Sequence, residues 1–369
     1  MEATTPTHRR PAPPRGRGAT LNPPVRFETQ HAAAFDDGWG TLDALAEAPP
    51  PLATTLIRDS SRSAISWNDS PDLGFDRAVN PYRGCEHGCV YCFARPSHAY
   101  LGFSPGLDFE SKITFKPEIA RLLARELQRP GYVVRPIVLG SNTDPYQPVE
   151  RRLQLTRAVL EVMLRFSHPV AIVSKSAAML RDLDLLQALA AKRLVRVHLS
   201  ITTLDPKLAR AMEPRAASPA RRLQALAALA RAGIPVGVLA APMIPGLNDA
   251  ELERILAAAA SAGARHAGYV LLRLPHELRE VFADWLATHR PERARHVLGL
   301  IRETRAGKLN EAAFHRRFRG DGAYADLLAQ RFAAAARKYG FESRRAELDA
   351  SRFSPYPDAP PARQLTLAL

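Results

Sequence analysis

Long apolar runs are missing from this chain of 369 residues, and no stretch approaches the eighteen or so consecutive apolar residues of a membrane span. A soluble protein is therefore expected. The opening stretch MEATTPTHRRPAPPRGRGATLNPP has no apolar segment behind its basic residues, so a secretory signal is not expected and a cytoplasmic location is. Cysteine is scarce, with three in the whole chain. An odd count closes no disulfide framework, and a reducing compartment disfavours one anyway. Acidic residues are outnumbered, 37 against 51 Lys and Arg, for a net charge of +14. A polyanion is the natural partner of such a surface, and nucleic acid is the first candidate. Arg, Ala and Pro are abundant together, as GC-rich coding produces, which accounts for part of that excess.

Hydrophobic residues at 46% and charged ones at 24% are ordinary globular values, so most of the chain should fold. The length suits one α/β barrel with appended elements. All three cysteines fall in RGCEHGCVYC, as Cys85, Cys89 and Cys92. Random placement would give this C-x3-C-x2-C spacing on the order of once in twenty thousand chains. Thiolates this close, in a loop with Gly84 and Gly88, can converge on one soft metal centre. Iron–sulfur ligation normally takes four cysteines, so three would leave one iron of a cubane open to an external ligand. Zinc is the alternative, with His87 or His98 as fourth ligand.

CEHGCVYC, with aromatic Tyr91 before the last cysteine, resembles the signature of the radical S-adenosylmethionine enzymes. The wider context NPYRGCEHGCVYCFARPSHAY, followed by SNTDPYQPVE, is similar to the bacterial branch related to spore photoproduct lyase. That resemblance implies a 4Fe-4S cluster on Cys85, Cys89 and Cys92. It also implies S-adenosylmethionine on the open iron, a 5'-deoxyadenosyl radical that abstracts hydrogen, and a flavodoxin or ferredoxin type of electron donor. Spore photoproduct lyase returns a hydrogen atom through a further cysteine. The matching stretch here, IVLGSNTD, has none, so a different substrate or a different hydrogen donor is expected.

Downstream, β-branched runs alternate with amphipathic stretches, the pattern of βα units. Strands are expected at 135–141, 169–175, 195–202, 234–241 and 266–273, with a first one at 75–80 ahead of the cluster. Six strands give a partial (β/α)6 barrel of TIM type over residues 61–275. Residues 1–60 are expected to be largely disordered, 276–345 to form a basic helical extension and 346–369 a Pro-rich flexible tail. Chemistry in such barrels sits at the carboxyl ends of the strands. Ser141, Asn142, Thr143 and Asp144 follow the second strand, where the resemblance implies contact with the methionine amino group, with an Asx turn ahead of Pro145 as the alternative. Lys175 is then a candidate for the methionine carboxylate and Ser200 for further cofactor contact, with Tyr91 beside them. His198 reads as a core histidine and Thr202 as a backbone partner. Glu213 and Arg215 suit either substrate contact or a surface salt bridge, Met243 either adenine packing or core, and Arg273 a phosphate. No catalytic residue can be named.

HRRFRG at 315–320 interleaves Phe318 with arginines, which suits phosphate pairing with base stacking. The final QLTLAL resembles the hexapeptide that docks on the bacterial sliding clamp, through Gln364, Leu365, Leu367 and Leu369. The reading is a radical enzyme of nucleic-acid repair or modification. A non-catalytic iron–sulfur DNA-binding module or redox sensor is the alternative.

Overall fold

A computed structural model describes residues 16–28, 52–344 and 346–357. Ten strands are found among them: β1 (Thr55–Arg58), β2 (Ile65–Trp67), β3 (Arg77–Val79), β4 (Tyr82–Arg83), β5 (Lys112–Phe115), β6 (Ile137–Leu139), β7 (Val170–Ser174), β8 (Val195–Ser200), β9 (Val236–Met243) and β10 (His266–Leu271). The main sheet runs β2-β3-β6-β7-β8-β9-β10. Its last six strands are parallel and in chain order, and β2 adds an antiparallel edge. Every strand expected of the barrel is present, the first one within 75–80. The sheet is curled, because Gly140 after β6 and Leu271 of β10, near opposite edges, line one cavity.

Helices α1 (Ile119–Leu127), α2 (Leu155–Arg165), α3 (Leu183–Ala191), α4 (Pro219–Arg231) and α5 (Leu252–Ser261) cover the outer face. Their apolar stripes, such as Leu122, Val159, Leu186, Leu226 and Ile255, pack with Ile137, Ile172, Val197 and Val238 into the main core. Strands buried on both faces read as continuous apolar runs, which is why β7 (VAIVS) and β8 (VRVHLS) are visible in the sequence.

Three features depart from the expectations. A second sheet, β1-β5-β4, flanks the cysteine loop. Within the stretch 1–60, residues 16–28 lie against the cysteine loop and Thr55–Arg58 form β1. Arg17, Gly18 and Ala19 are buried, and the Gly18 and Ala19 amides each donate to Glu110 at 2.8 Å. The extension is folded onto the cysteine loop. Val281, Phe282, Trp285 and Leu286 of α6 (Leu278–His289) and Val297 and Ile301 of α7 (Pro291–Glu303) share one core with Cys89, Val90 and Tyr91. A last helix, α8 (Ala323–Lys338), packs on α5 and β10. The hexapeptide with Gln364, Leu365, Leu367 and Leu369 lies outside the described residues. Among the described residues no helix is long and apolar enough to cross a membrane.

Candidate metal and cofactor site

The cysteine loop leaves β4 through Gly84, whose φ of +79° and lack of a Cβ are both needed: a Cβ there would lie 2.8 Å from the Phe109 carbonyl oxygen. Backbone pairs then pin the loop on several sides. The Cys85 amide donates to Phe109 O at 2.9 Å, and the Val90 amide to Met212 O at 3.0 Å. Thr143 Oγ1 donates to Gly84 O at 2.6 Å, and the Glu86 amide to Gln147 Oε1 at 2.9 Å.

Two buried ion pairs fix the loop from either end. Arg95, fully buried, donates to Cys89 O at 2.9 Å and Gly106 O at 2.7 Å, and pairs with Glu110. The Glu110 carboxylate in turn accepts the amides of residues 18 and 19. At the other end Glu213 pairs with Arg222, each 1% exposed. Glu213 also accepts the Tyr91 hydroxyl and, at 2.6 Å, the Thr202 hydroxyl. Arg222 donates to Ser200 O at 3.0 Å. Glu213 is therefore neither a surface salt bridge nor a cavity residue; it ties Tyr91 to the end of β8.

Cys85, Cys89 and Cys92 are free thiols lining one cavity with Ser141, Asn142, Lys175 and Ser200. Tyr91 lines an adjoining, more apolar cavity of about 200 Å³ that shares Cys92, Lys175 and Ser200. The structure thus brings Ser141, Asn142, Lys175 and Ser200 together with the cysteines, with Tyr91 in the adjoining cavity. Asn80 Nδ2 donates to Ser141 Oγ at 3.1 Å and Asn80 Oδ1 accepts the Asn142 amide at 3.2 Å. Among the described residues Lys175 finds no hydrogen-bond or ion-pair partner for its ammonium, which lies 5.6 Å from the Tyr91 ring centroid. Asp144 beneath them is structural. It accepts Ser174 Oγ at 2.7 Å and the Lys175 amide at 2.8 Å, and pairs with His87 Nδ1 at 3.3 Å. Burial works to raise its pKa, but His87 and these bonds outweigh burial and hold it at about 2.

Gly140, which leads into Ser141, has φ +93° and would place a Cβ 2.1 Å from the Val173 carbonyl oxygen. Phe93 and Phe318, not singled out at the cavity from sequence, line it with Arg273. Burial, with help from Arg317 and Arg305, lowers the Arg273 guanidinium to about 10, still a cation at neutral pH. Met243 is fully buried in the main core. Arg215 lines a separate cavity and pairs with Glu86 at 3.1 Å.

Burial pushes the thiols of Cys85 and Cys89 up, so without a metal these two stay protonated, and a cationic metal centre is what turns such groups into thiolates. His87 bonds Asp144 through Nδ1, and His98 bonds Lys112 O through Nε2 at 3.0 Å with its ring between Phe103 and Phe109. Among the described residues no three His, Cys, Asp or Glu side chains are close enough to hold a single ion. A cubane, which offers each thiolate its own iron, fits this all-sulfur donor set.

Residues 79–259 match the family model of the Radical SAM superfamily. An uncharacterized protein of Mycobacterium tuberculosis is 38% identical over 222 residues, covering 60% of this chain and 65% of the relative. One of Methanocaldococcus jannaschii is 28% identical over 196 residues, covering 53% and 70%. The match thus spans just under two thirds of the mycobacterial protein's length. In fold the chain is similar to spore photoproduct lyase complexed with dinucleoside spore photoproduct, with a TM-score of 0.58, 16% identity, and 78% and 80% of the two chains covered. It is also similar to a doubly substituted mutant of that lyase with bound AdoMet and dinucleoside spore photoproduct, at TM-score 0.56 and 14% identity, with 85% and 86% covered.

Proposed function

Starting from the match of residues 79–259 to the family model of the Radical SAM superfamily, we propose that this chain is a radical S-adenosylmethionine enzyme that generates a substrate radical on a nucleic acid, for repair or modification. Members of the superfamily use a 4Fe-4S cluster to cleave S-adenosylmethionine reductively, giving a 5'-deoxyadenosyl radical that abstracts hydrogen from a C–H bond. In this reading Cys85, Cys89 and Cys92 hold the cluster. Ser141, Asn142 and Ser200 orient the polar groups of the cofactor, and Lys175 neutralises its carboxylate. Tyr91, its hydroxyl tied to Glu213, forms a wall of the cavity and sets the distance between the cysteine loop and β8. The apolar walls of the adjoining cavity, Leu239, Ala241, Val270 and Leu271, keep water from the reacting atoms.

The observation that carries the reading is one cavity in which all three cysteines of the chain meet four polar strand-end residues. Nucleic acid as substrate is supported by the charge of +14 and by the dinucleoside lesion held by a lyase of the same fold. A low-potential donor of the flavodoxin or ferredoxin type would supply the electron. Protein reconstituted anaerobically with iron and sulfide, then reduced by dithionite, should release 5'-deoxyadenosine from S-adenosylmethionine, and Cys89→Ala should not. A brown, cluster-loaded wild type that releases none would defeat the enzymatic reading in favour of a redox sensor or DNA-binding module.

A further inference from the structure

We propose that Arg273 seats a phosphate of a single-stranded nucleic acid at the open edge of the barrel, an inference that rests on the nucleic-acid reading above and gives it a place. Arg273 follows β10 and lines the apolar cavity together with Cys92, Lys175 and Ser200. Its guanidinium lies 4.9 Å from the centroid of Phe93, the residue after the last cysteine, and 5.0 Å from that of Phe318. Two aromatic neighbours hold the plane of the fork in place without using its N–H donors.

The two arginines beside it are spent differently. Arg305, fully buried, donates to the carbonyls of Leu271, Leu272, Arg316 and Arg317. Arg317 pairs with Asp72 at 2.7 Å and donates to Ser70 Oγ. Arg273 makes no hydrogen bond or ion pair with any described residue, although its surroundings are largely desolvated. A half-buried cation of this kind calls for an anion, and a phosphate matches the guanidinium fork with two parallel bonds.

The surrounding architecture decides what carries that anion. The segment 314–318 is a strap across the gap in the open sheet. At one edge Phe318 O accepts the Leu271 amide of β10 at 2.9 Å, and at the other Arg317 and His315 hold Asp72, between β2 and β3. Arg273 thus sits where a chain-like substrate would enter. Phe93 is 48% exposed there and offers a flat face on which a base can stack. A recess of about 200 Å³ is far too small for a duplex, so a strand reaching it is single or locally opened.

The test is fluorescence anisotropy of an end-labelled single-stranded oligonucleotide, titrated anaerobically with cluster-loaded protein at several KCl concentrations. Removing one phosphate contact in Arg273→Gln should weaken binding about tenfold and flatten the log–log salt slope by about 0.7. Arg273→Lys, which restores the charge without the fork, should recover the slope and only part of the affinity. Equal affinity and slope in wild type and Arg273→Gln would overturn the proposal. If wild type releases 5'-deoxyadenosine but ignores the oligonucleotide, the nucleic-acid reading falls with it while the radical reading stands. Should Arg273→Gln not fold, Phe318→Leu decides: a several-fold loss of affinity supports the seat, and unchanged binding refutes it.

Discussion

Replacing Arg95 by methionine removes the cation that locks the cysteine loop from behind. The change keeps much of the side chain's volume but takes away donors to Cys89 O and Gly106 O, and leaves the Glu110 carboxylate buried with only the amides of residues 18 and 19. Breaking a buried pair from one side costs about 3–5 kcal/mol, because the remaining charge is uncompensated. In a domain of this size that corresponds to a fall in melting temperature on the order of 10 °C. The assay is thermal unfolding of the cluster-free protein, followed by near-UV circular dichroism, with iron content measured after reconstitution. A double variant with Glu110→Gln separates loss of the pair from general damage. If the charges act on each other, the double change costs less than the two single changes added together. An Arg95→Met protein melting within about 2 °C of wild type with full iron loading, or strictly additive effects, would refute the reasoning.

Lys175→Gln should weaken S-adenosylmethionine about tenfold, the value of a charge-assisted contact, without changing iron content; anaerobic calorimetry that finds equal affinity would remove Lys175 from the cofactor. Gly140→Ala must shift backbone, since its Cβ would meet Val173 O at 2.1 Å, so both the melting temperature and cofactor affinity should fall, as read by the same calorimetry. His168 is fully buried between Tyr132 Oη at 2.8 Å and Pro169 O at 3.0 Å, and burial lowers its pKa from 6.5 to about 4. A depressed folded pKa means its contribution is complete above pH 6.5 and is lost as pH falls towards 4, amounting to about 2 kcal/mol by pH 5. Urea unfolding at pH 7.5 and pH 5 should therefore show a smaller acid loss in His168→Gln than in wild type, and equal losses would contradict the assignment.

How much of this was legible in the sequence follows from the range of each interaction. β6 and β7 are buried along nearly their whole length, so each leaves a run of β-branched residues that needs no partner to be recognised. Barrel topology then gathers strand ends, which is why Ser141, Asn142, Lys175 and Ser200 could be named before they were seen on one wall. The small sheet left no such trace, because strands of two to four residues are too short to show alternation. Nor did the ion pairs. Arg95 and Glu110 lie fifteen residues apart in unrelated elements, and Glu213 sits in AMEPRAASPARRL, where acid and arginine together look like a surface. The segment at Arg17–Ala19 has the Pro/Arg-rich setting of an unfolded tail. It packs because Gly18 comes so close to the cysteine loop that a Cβ would lie 1.8 Å from Gly88 O, a constraint visible only in three dimensions.

These pairings also explain where the charge of the site resides. Around the cysteine loop Glu110, Glu213, Glu86 and Asp144 are each matched inside the walls, by Arg95, Arg222, Arg215 and His87. None of these acids is left to face the apolar cavity. The cations that do line it, Lys175 and Arg273, have no carboxylate bonded to them among the described residues, so the cavity carries positive charge in surroundings that screen it poorly. A protein that merely contained spare arginines would scatter them over solvent, where each is hydrated at no cost. Two half-buried cations without a bonded carboxylate in one recess favour the arrival of anions, and the arrangement therefore selects ligands bearing two separate negative groups. A carboxylate on the cofactor at Lys175 and a phosphate on the substrate at Arg273 meet that requirement together, and filling one seat leaves the other cation still seeking its partner.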